Sequence, residues 1–254
     1  MEIVGLTRGL ILGLVQGVLE WLPISSSGSL FLILAFLGIP AGAAYDYSLF
    51  LHLGTVISAL LLLWRHLLEK STLKFVLAGL FSSLLAGMPL YFYFRLIAST
   101  SALAILAAAL GVLLILTGLM ERWAWAGGLN AREVGQLSTL DGVIVGFFQG
   151  LSVLPGLSRS GLTVVALIWR GYKLREAFKL SFTLGIPFIL LGEAGLAYLE
   201  APTLFNLEGL VGLTVAMVVG LISLKILLGV VSEKPFWIVC AALGAVSIVC
   251  SLFL

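Results

Sequence analysis

Leu140–Trp169, LDGVIVGFFQGLSVLPGLSRSGLTVVALIW, is an apolar stretch interrupted in its middle by Pro155-Gly156 and by Ser158-Arg159-Ser160-Gly161. Its two arms, about Leu140 to Leu154 and Gly161 to Trp169, are each shorter than the roughly 20 residues a helix needs to cross a bilayer. Basic residues stand on both flanks: Arg122 and Arg132 before it, Arg170, Lys173, Arg175 and Lys179 after it. By the positive-inside rule both flanks are cytoplasmic. A segment that returns to its side of origin through two half-length arms is a re-entrant hairpin.

The first residues repeat the pattern. Val4 to Leu22 and Gly28 to Leu37 flank the break Pro23–Gly28, PISSSG. ILGLVQG at Ile11–Gly17 aligns with IVGFFQG at Ile144–Gly150 at an offset of 133, which puts Ser25 on Ser158, Ser27 on Ser160, Gly28 on Gly161 and Ser26 opposite Arg159. Two residues of drift later, Leu53-Gly54 matches Leu184-Gly185. The breaks Gly38 to Tyr47, Ala98 to Ser101 and Leu199 to Glu208 hold Asp46, Glu200 and Glu208 but no Lys or Arg, so they are expected outside. The first hairpin then enters from outside and the second from the cytoplasm, which defines an inverted-topology repeat with a site near the midplane.

Composition agrees with a membrane setting. Of 254 residues, 61% are hydrophobic and 10% charged, whereas soluble chains are about one quarter charged. Spans are expected at Tyr47 to Trp64, Phe75 to Phe94, Ala102 to Met120, Leu180 to Tyr198, Leu210 to Leu228 and Phe236 to Leu254. The fold class is thus an all-α polytopic membrane protein, an inverted-topology repeat of six transmembrane helices plus two re-entrant helical hairpins in one domain. The first repeat covers 1–120 with its hairpin at about 4–37, and the second covers 134–254 with its hairpin at about 140–169.

Trp64, Trp123, Trp125, Trp169 and Trp237 flank basic loops, as interfacial anchors do; Lys225 and Lys234 mark one more such loop. Arg8 and Arg95 are the two cations that fall on the wrong side. A net charge of +2 with no basic, aromatic-interleaved run gives no nucleic-acid surface. Cys240 and Cys250 lack metal-ligand or redox spacing and read as inert packing residues. No removable signal peptide is expected, since a basic n-region and a small-x-small site are missing.

Chemistry concentrates in the two breaks. Irregular backbone at membrane depth persists only where protein or a watery cavity satisfies it. Ser25, Ser26 and Ser27 precede one half-helix and Ser158, Arg159 and Ser160 the other, so two helix N-termini with free N–H donors converge on an anion site suited to phosphate. Arg159 at membrane depth costs about 2.5–3.5 kcal/mol and needs a partner. Its fork suits phosphate oxygens, while pairing with Glu20 is the structural alternative. Glu20 lies one turn from Gln16, on the same face; it is open to holding a divalent cation, accepting a proton or balancing Arg159. His52, in FLHLGT, reads equally as a proton carrier or an interhelical hydrogen bonder. His66, beside Arg65, is expected in solvent, and Glu193 is a weak candidate for the cavity.

QGVLEWLPISSSG (Gln16–Gly28) and QGLSVLPGLSRSGLT (Gln149–Thr163) resemble the two signature regions of the bacitracin-resistance undecaprenyl-pyrophosphate phosphatase family. FLHLGT and REAFKLSFTLGIP look familial too, so the resemblance covers essentially the whole chain. It implies removal of the terminal phosphate from a polyprenyl diphosphate lipid, a divalent cation (Mg²⁺ or Ca²⁺) as cofactor, and an active site toward the outer face of the plasma membrane. Residue by residue it implies Gln16 and Glu20 as the acidic-motif pair, Ser26 as nucleophile, and Arg159 with Ser158, Ser160 and Thr163 as phosphate ligands. One position departs: the family usually has histidine after the serine-glycine of the first motif, where this chain has Ser29. His52 is then the imidazole available for acid–base work. Ser25 and Ser27 complete the expected substrate-binding set, and Glu20 is the expected metal ligand. A flippase for polyprenyl phosphates is the competing reading, because inverted repeats with broken helices are also transporter architecture. Membrane lipids surround the chain on either reading, and a homodimer is compatible with it.

Overall fold

The computed structural model describes residues 2–100, 103–126, 137–230 and 237–252. All regular structure among them is helical: α1 Glu2–Leu19, α2 Ser26–Phe36, α3 Ala41–Phe50, α4 His52–Leu67, α5 Lys70–Thr100, α6 Leu103–Ala126, α7 Thr139–Leu151, α8 Arg159–Trp169, α9 Leu174–Leu204, α10 Leu207–Val230 and α11 Trp237–Ser251. Four stretches are long and apolar enough to cross a membrane: Asp46–Leu67, Lys70–Ile97, Ala104–Ala124 and Leu207–Gly229. Lipid-facing side chains such as Phe81 and Leu85 are 70% exposed, which only a hydrocarbon solvent tolerates in such numbers.

The expected arms of the two hairpins correspond to α1 with α2 and to α7 with α8. At 1.5 Å per residue, the 11 residues of α2 and the 11 of α8 each extend about 16 Å, half the roughly 30 Å of a hydrocarbon core. Ser138 starts α7 with a capping box, its hydroxyl accepting from the Asp141 N–H at 3.1 Å. Asp141 also accepts from Arg170 (2.6 Å) and Tyr172 (2.7 Å), which ties the base of α7 to the end of α8.

Three expected breaks are largely helix. Residues 38–47 contain the start of α3, because Pro40 sets an extended entry (φ −52°, ψ 140°) to an alanine-rich first turn. Burial of Ala44, Tyr47 and Phe50, the last with its ring edge-on to Phe205 at 5.0 Å, holds that helix down. The α5 helix runs to Thr100, and only Phe205 and Asn206 separate α9 from α10. His66 is buried, not solvated: it is the last polar residue of α4, and its Nδ1 meets Thr183 Oγ1 at 3.0 Å. Arg132 and Lys234 lie outside the described residues, as do the side chains of Trp125, Glu193 and Glu200.

Helix packing is built on glycine. In lipid there is no hydrophobic force between helices, so small residues that let backbones approach supply the contact. Gly9, Gly13 and Gly17 of α1 meet Glu208, Gly212 and Val219 of α10 in ascending order, so the two helices run side by side in the same direction. Gly142, Gly146 and Gly150 of α7 meet Phe75, Gly79 and Ser83 of α5 in the same way. Each glycine of the first set is 133 residues before its counterpart in the second (9 and 142, 13 and 146, 17 and 150), and the same interval separates Gly79 from Gly212, Gly87 from Gly220 and Gly111 from Gly244. Of the remaining large contacts, α6 with α11 and α4 with α9 pair helices that occupy equivalent places in the two halves, and α4 also packs on α10.

Both anomalous arginines are neutralised. Arg8 forms a two-armed pair with Glu208 at 2.5 Å on each arm, and Arg95 reaches Asp46 at 3.2 Å. These acids are the ones expected outside, so each arginine adds no net charge to its end of the bundle.

Candidate active site

The hairpin tips are made by local chain chemistry. After α1, the Glu20 N–H still bonds the Gln16 carbonyl (3.0 Å), and then Pro23 stops the helix. After α7, three successive N–H groups at Ser152, Val153 and Leu154 bond carbonyls three residues back. Gly156 follows at φ +101°, where a methyl would also fall 2.7 Å from the Leu110 carbonyl, so no other residue type fits this turn. The matched serines cap the half-helices: Ser25 Oγ accepts from the Gly28 N–H (3.2 Å), and Ser158 Oγ from the Gly161 N–H (3.1 Å).

The caps also join the hairpins. Ser25 Oγ accepts from the Gly156 N–H at 3.1 Å, and Ser160 Oγ donates to the Leu22 carbonyl at 2.8 Å. Behind them, Cys240 of α11 donates to the Pro23 carbonyl at 3.1 Å, a positioning contact where the sequence suggests inert filling.

Glu20 is the hub. One carboxylate oxygen accepts from Arg159 Nη2. The other accepts from Ser26 Oγ at 2.8 Å and Gln16 Nε2 at 2.9 Å, and lies 3.1 Å from His52 Nε2. The same His52 nitrogen is 3.5 Å from Ser26 Oγ. On the far edge of the ring, Nδ1 faces the Ser48 and Leu49 carbonyls at 2.9 and 3.1 Å. Both ring nitrogens therefore look at oxygen acceptors, an environment made for an imidazole that gives and takes protons.

Glu20, Ser25, Ser26, Ser27, His52, Ser158, Arg159 and Ser160 line one cavity of about 280 Å³. Of the residues singled out in the sequence, Gln16 and Thr163 stand one layer behind it. Gln16 is fully buried between Glu20 and Thr55 Oγ1 (3.4 Å), and Thr163 bonds Ser181 Oγ at 2.6 Å on α9. Ser29 Oγ turns back to the Ser25 carbonyl at 3.0 Å. Three residues escaped sequence reasoning: Gly185, on which the Arg159 guanidinium rests; Glu121, a buried acid of α6 beside Gly161; and Ser48, which orients His52. Only Gly185 carried a signal, its place in the secondary repeat match.

Among the described residues no group of three or more His, Cys, Asp or Glu gathers around one point. The carboxylate that faces the cavity is that of Glu20; Gln16 Oε1, one layer behind, is buried and has no hydrogen-bond partner among the described residues. A single carboxylate fits Mg²⁺ or Ca²⁺ when phosphate oxygens and water complete the shell, the usual arrangement for Mg²⁺ at phosphate sites.

A helical membrane protein with a cavity lined by serines, a glutamate and an arginine between two helix tips is the class that fold and site define. The chain matches the family described as bacitracin resistance protein BacA over residues 9–246, and it belongs to that family. It is 35% identical to the undecaprenyl-diphosphatase of Haloarcula marismortui, over 94% of this chain and 95% of that protein. It is 36% identical to the undecaprenyl-diphosphatase of Methanopyrus kandleri (98% and 97% covered) and to that of Pyrobaculum aerophilum (94% of each).

Proposed function

We infer that this chain is a membrane phosphatase that hydrolyses undecaprenyl diphosphate to the monophosphate and inorganic phosphate. The observation that carries this reading is the meeting of Ser26, Glu20, His52 and Arg159 at one end of a single cavity. Family membership and the relatives' shared name favour hydrolysis over transport.

The diphosphate headgroup sits between the hairpin tips with Arg159 as its cationic clamp. Ser26 Oγ attacks the distal phosphorus as its proton moves to Glu20, which already accepts its hydrogen bond at 2.8 Å. The bond from that phosphorus to the bridging oxygen breaks, and the lipid monophosphate leaves with the electron pair. His52, 3.1 Å from Glu20, relays the proton to the leaving phosphate and frees Glu20 to accept one from water. That water attacks the phosphoserine, restoring Ser26 and releasing inorganic phosphate. Arg159 stabilises the charge on the equatorial oxygens in both steps. A divalent cation, held by Glu20, would supply further neutralisation of the diphosphate charge.

The two glycine-packed helix pairs and the constant interval between their glycines support an inverted repeat of six spans and two re-entrant hairpins. The cavity reaches Tyr91 and Leu49, toward the end that carries the Arg95–Asp46 pair. With the acidic end outside, the site opens to the outer face of the plasma membrane.

Purified protein should release inorganic phosphate from undecaprenyl diphosphate, and Ser26→Ala should lower the rate by roughly 10³-fold or more while the protein elutes and melts as the parent does. Turnover within about tenfold of the parent would remove Ser26 as nucleophile; no release by the parent would remove the phosphatase reading.

A further inference from the structure

The cavity has two chemically different halves, and the repeat explains how one pocket comes to hold both. Glu20 of the first hairpin corresponds to Val153 of the second (20 + 133 = 153), and both line the cavity. Beyond Val153 the wall is apolar, with Met88 and Phe92 on α5 and Phe188 and Leu191 on α9. Met88, Phe92 and Leu191 are at least half exposed, so this half opens sideways between α5 and α9 onto the surface that lipid covers.

The two glycines in this wall differ. A methyl at Gly87 would meet Val153 at 3.1 Å and the Gly150 carbonyl at 3.2 Å, so Gly87 serves the crossing of α5 with α7. A methyl at Gly192 would meet no described atom within 4 Å. Gly192 is exposed, lines the cavity and faces open space. A helix interior disfavours glycine by about 1 kcal/mol relative to alanine, and among the described residues no packing contact accounts for it here.

Resting on the phosphatase reading, we propose that the apolar groove between α5 and α9 seats the isoprene units that follow the first one of the substrate and that Gly192 sets its specificity for long chains. The headgroup is fixed at the polar end by Arg159, so the chain attached to it leaves through the apolar side of the same cavity that opens between α5 and α9. A bare backbone at residue 192 keeps that exit as wide as a branched isoprene unit requires. The tail passes into the bilayer without first crossing water.

The test is a series of prenyl diphosphates, from dimethylallyl through farnesyl to undecaprenyl, hydrolysed by the parent, Gly192→Ala and Gly192→Leu. For Gly192→Leu the ratio of kcat/KM for the undecaprenyl substrate to that for the dimethylallyl substrate should fall roughly tenfold or more, with Gly192→Ala between it and the parent. A loss equal at all lengths, or none at any, overturns the proposal. Binding of undecaprenyl monophosphate in detergent gives a second readout that needs no turnover. It should weaken in Gly192→Leu by a similar factor, and unchanged binding overturns the groove. If the parent hydrolyses no member of the series, the phosphatase reading fails, and the binding comparison still decides the groove.

Discussion

Arg159 can reach Glu20 because residue 185 has no side chain. A methyl at Gly185 would overlap the guanidinium, lying 2.8 Å from Cζ and closer still to Nη1. That Nη1 is buried without a hydrogen-bond partner, a donor still unspent while Nη2 holds Glu20. Gly185→Ala should therefore displace the clamp and lower turnover by about 10²–10³-fold, the scale of losing one transition-state donor. Because its effect runs through Arg159, the double variant Gly185→Ala/Arg159→Ala should be no worse than Arg159→Ala alone; additive losses would mean that Gly185 acts elsewhere. Glu20 and Arg159 were legible in the sequence, since a charge in an apolar run announces itself by its cost. His52 was legible as a candidate, and its 3.1 Å approach to Glu20 is a contact that either of the roles left open for it would make. Gly185 was not, because what a glycine does here lies in the atoms that it lets others occupy.

At the scale of elements, the half-length arms and the serine breaks were readable because a short apolar run has few fates in a bilayer. The α3 helix was not: Pro40 and small residues resemble a loop until burial of Tyr47 and Phe50 is known. The glycine register was present in the sequence at its constant interval beyond the hairpins, but glycines are common in membrane helices and their pairing is visible only across helices. Gly146 makes the tightest crossing, where a methyl would lie 2.6 Å from the Gly79 Cα. Gly146→Leu must push α7 off α5 and with it the second tip, so Tm should fall by roughly 5 °C or more. Gly229→Leu, where no described atom lies within 4 Å, is the matched control. Equal Tm values for the two would show that α5 and α7 do not depend on close backbone contact.

For the whole molecule, the charge pattern predicts an orientation that thiol labelling can read. Asn206→Cys, exposed between α9 and α10, should react with an impermeant reagent added outside, and Lys173→Cys, exposed before α9, should not, each measured against the parent with its native Cys240 and Cys250. The reverse pattern would turn the molecule over, and labelling of both would contradict two hairpins of opposite entry. Asp46 is a poor probe, because it is buried against Arg95. The pairing of α1 with α10 has a consequence for biosynthesis. Arg8 finds its acid 200 residues later in the chain, and the Gly17 carbonyl accepts from Ser223. Until α10 is made, α1 lacks the helix against which its glycines pack. The nascent hairpin must wait in the membrane, half-inserted or sheltered by the insertion machinery, so a chain halted before α10 leaves Glu20 synthesised but without the helix that backs its own.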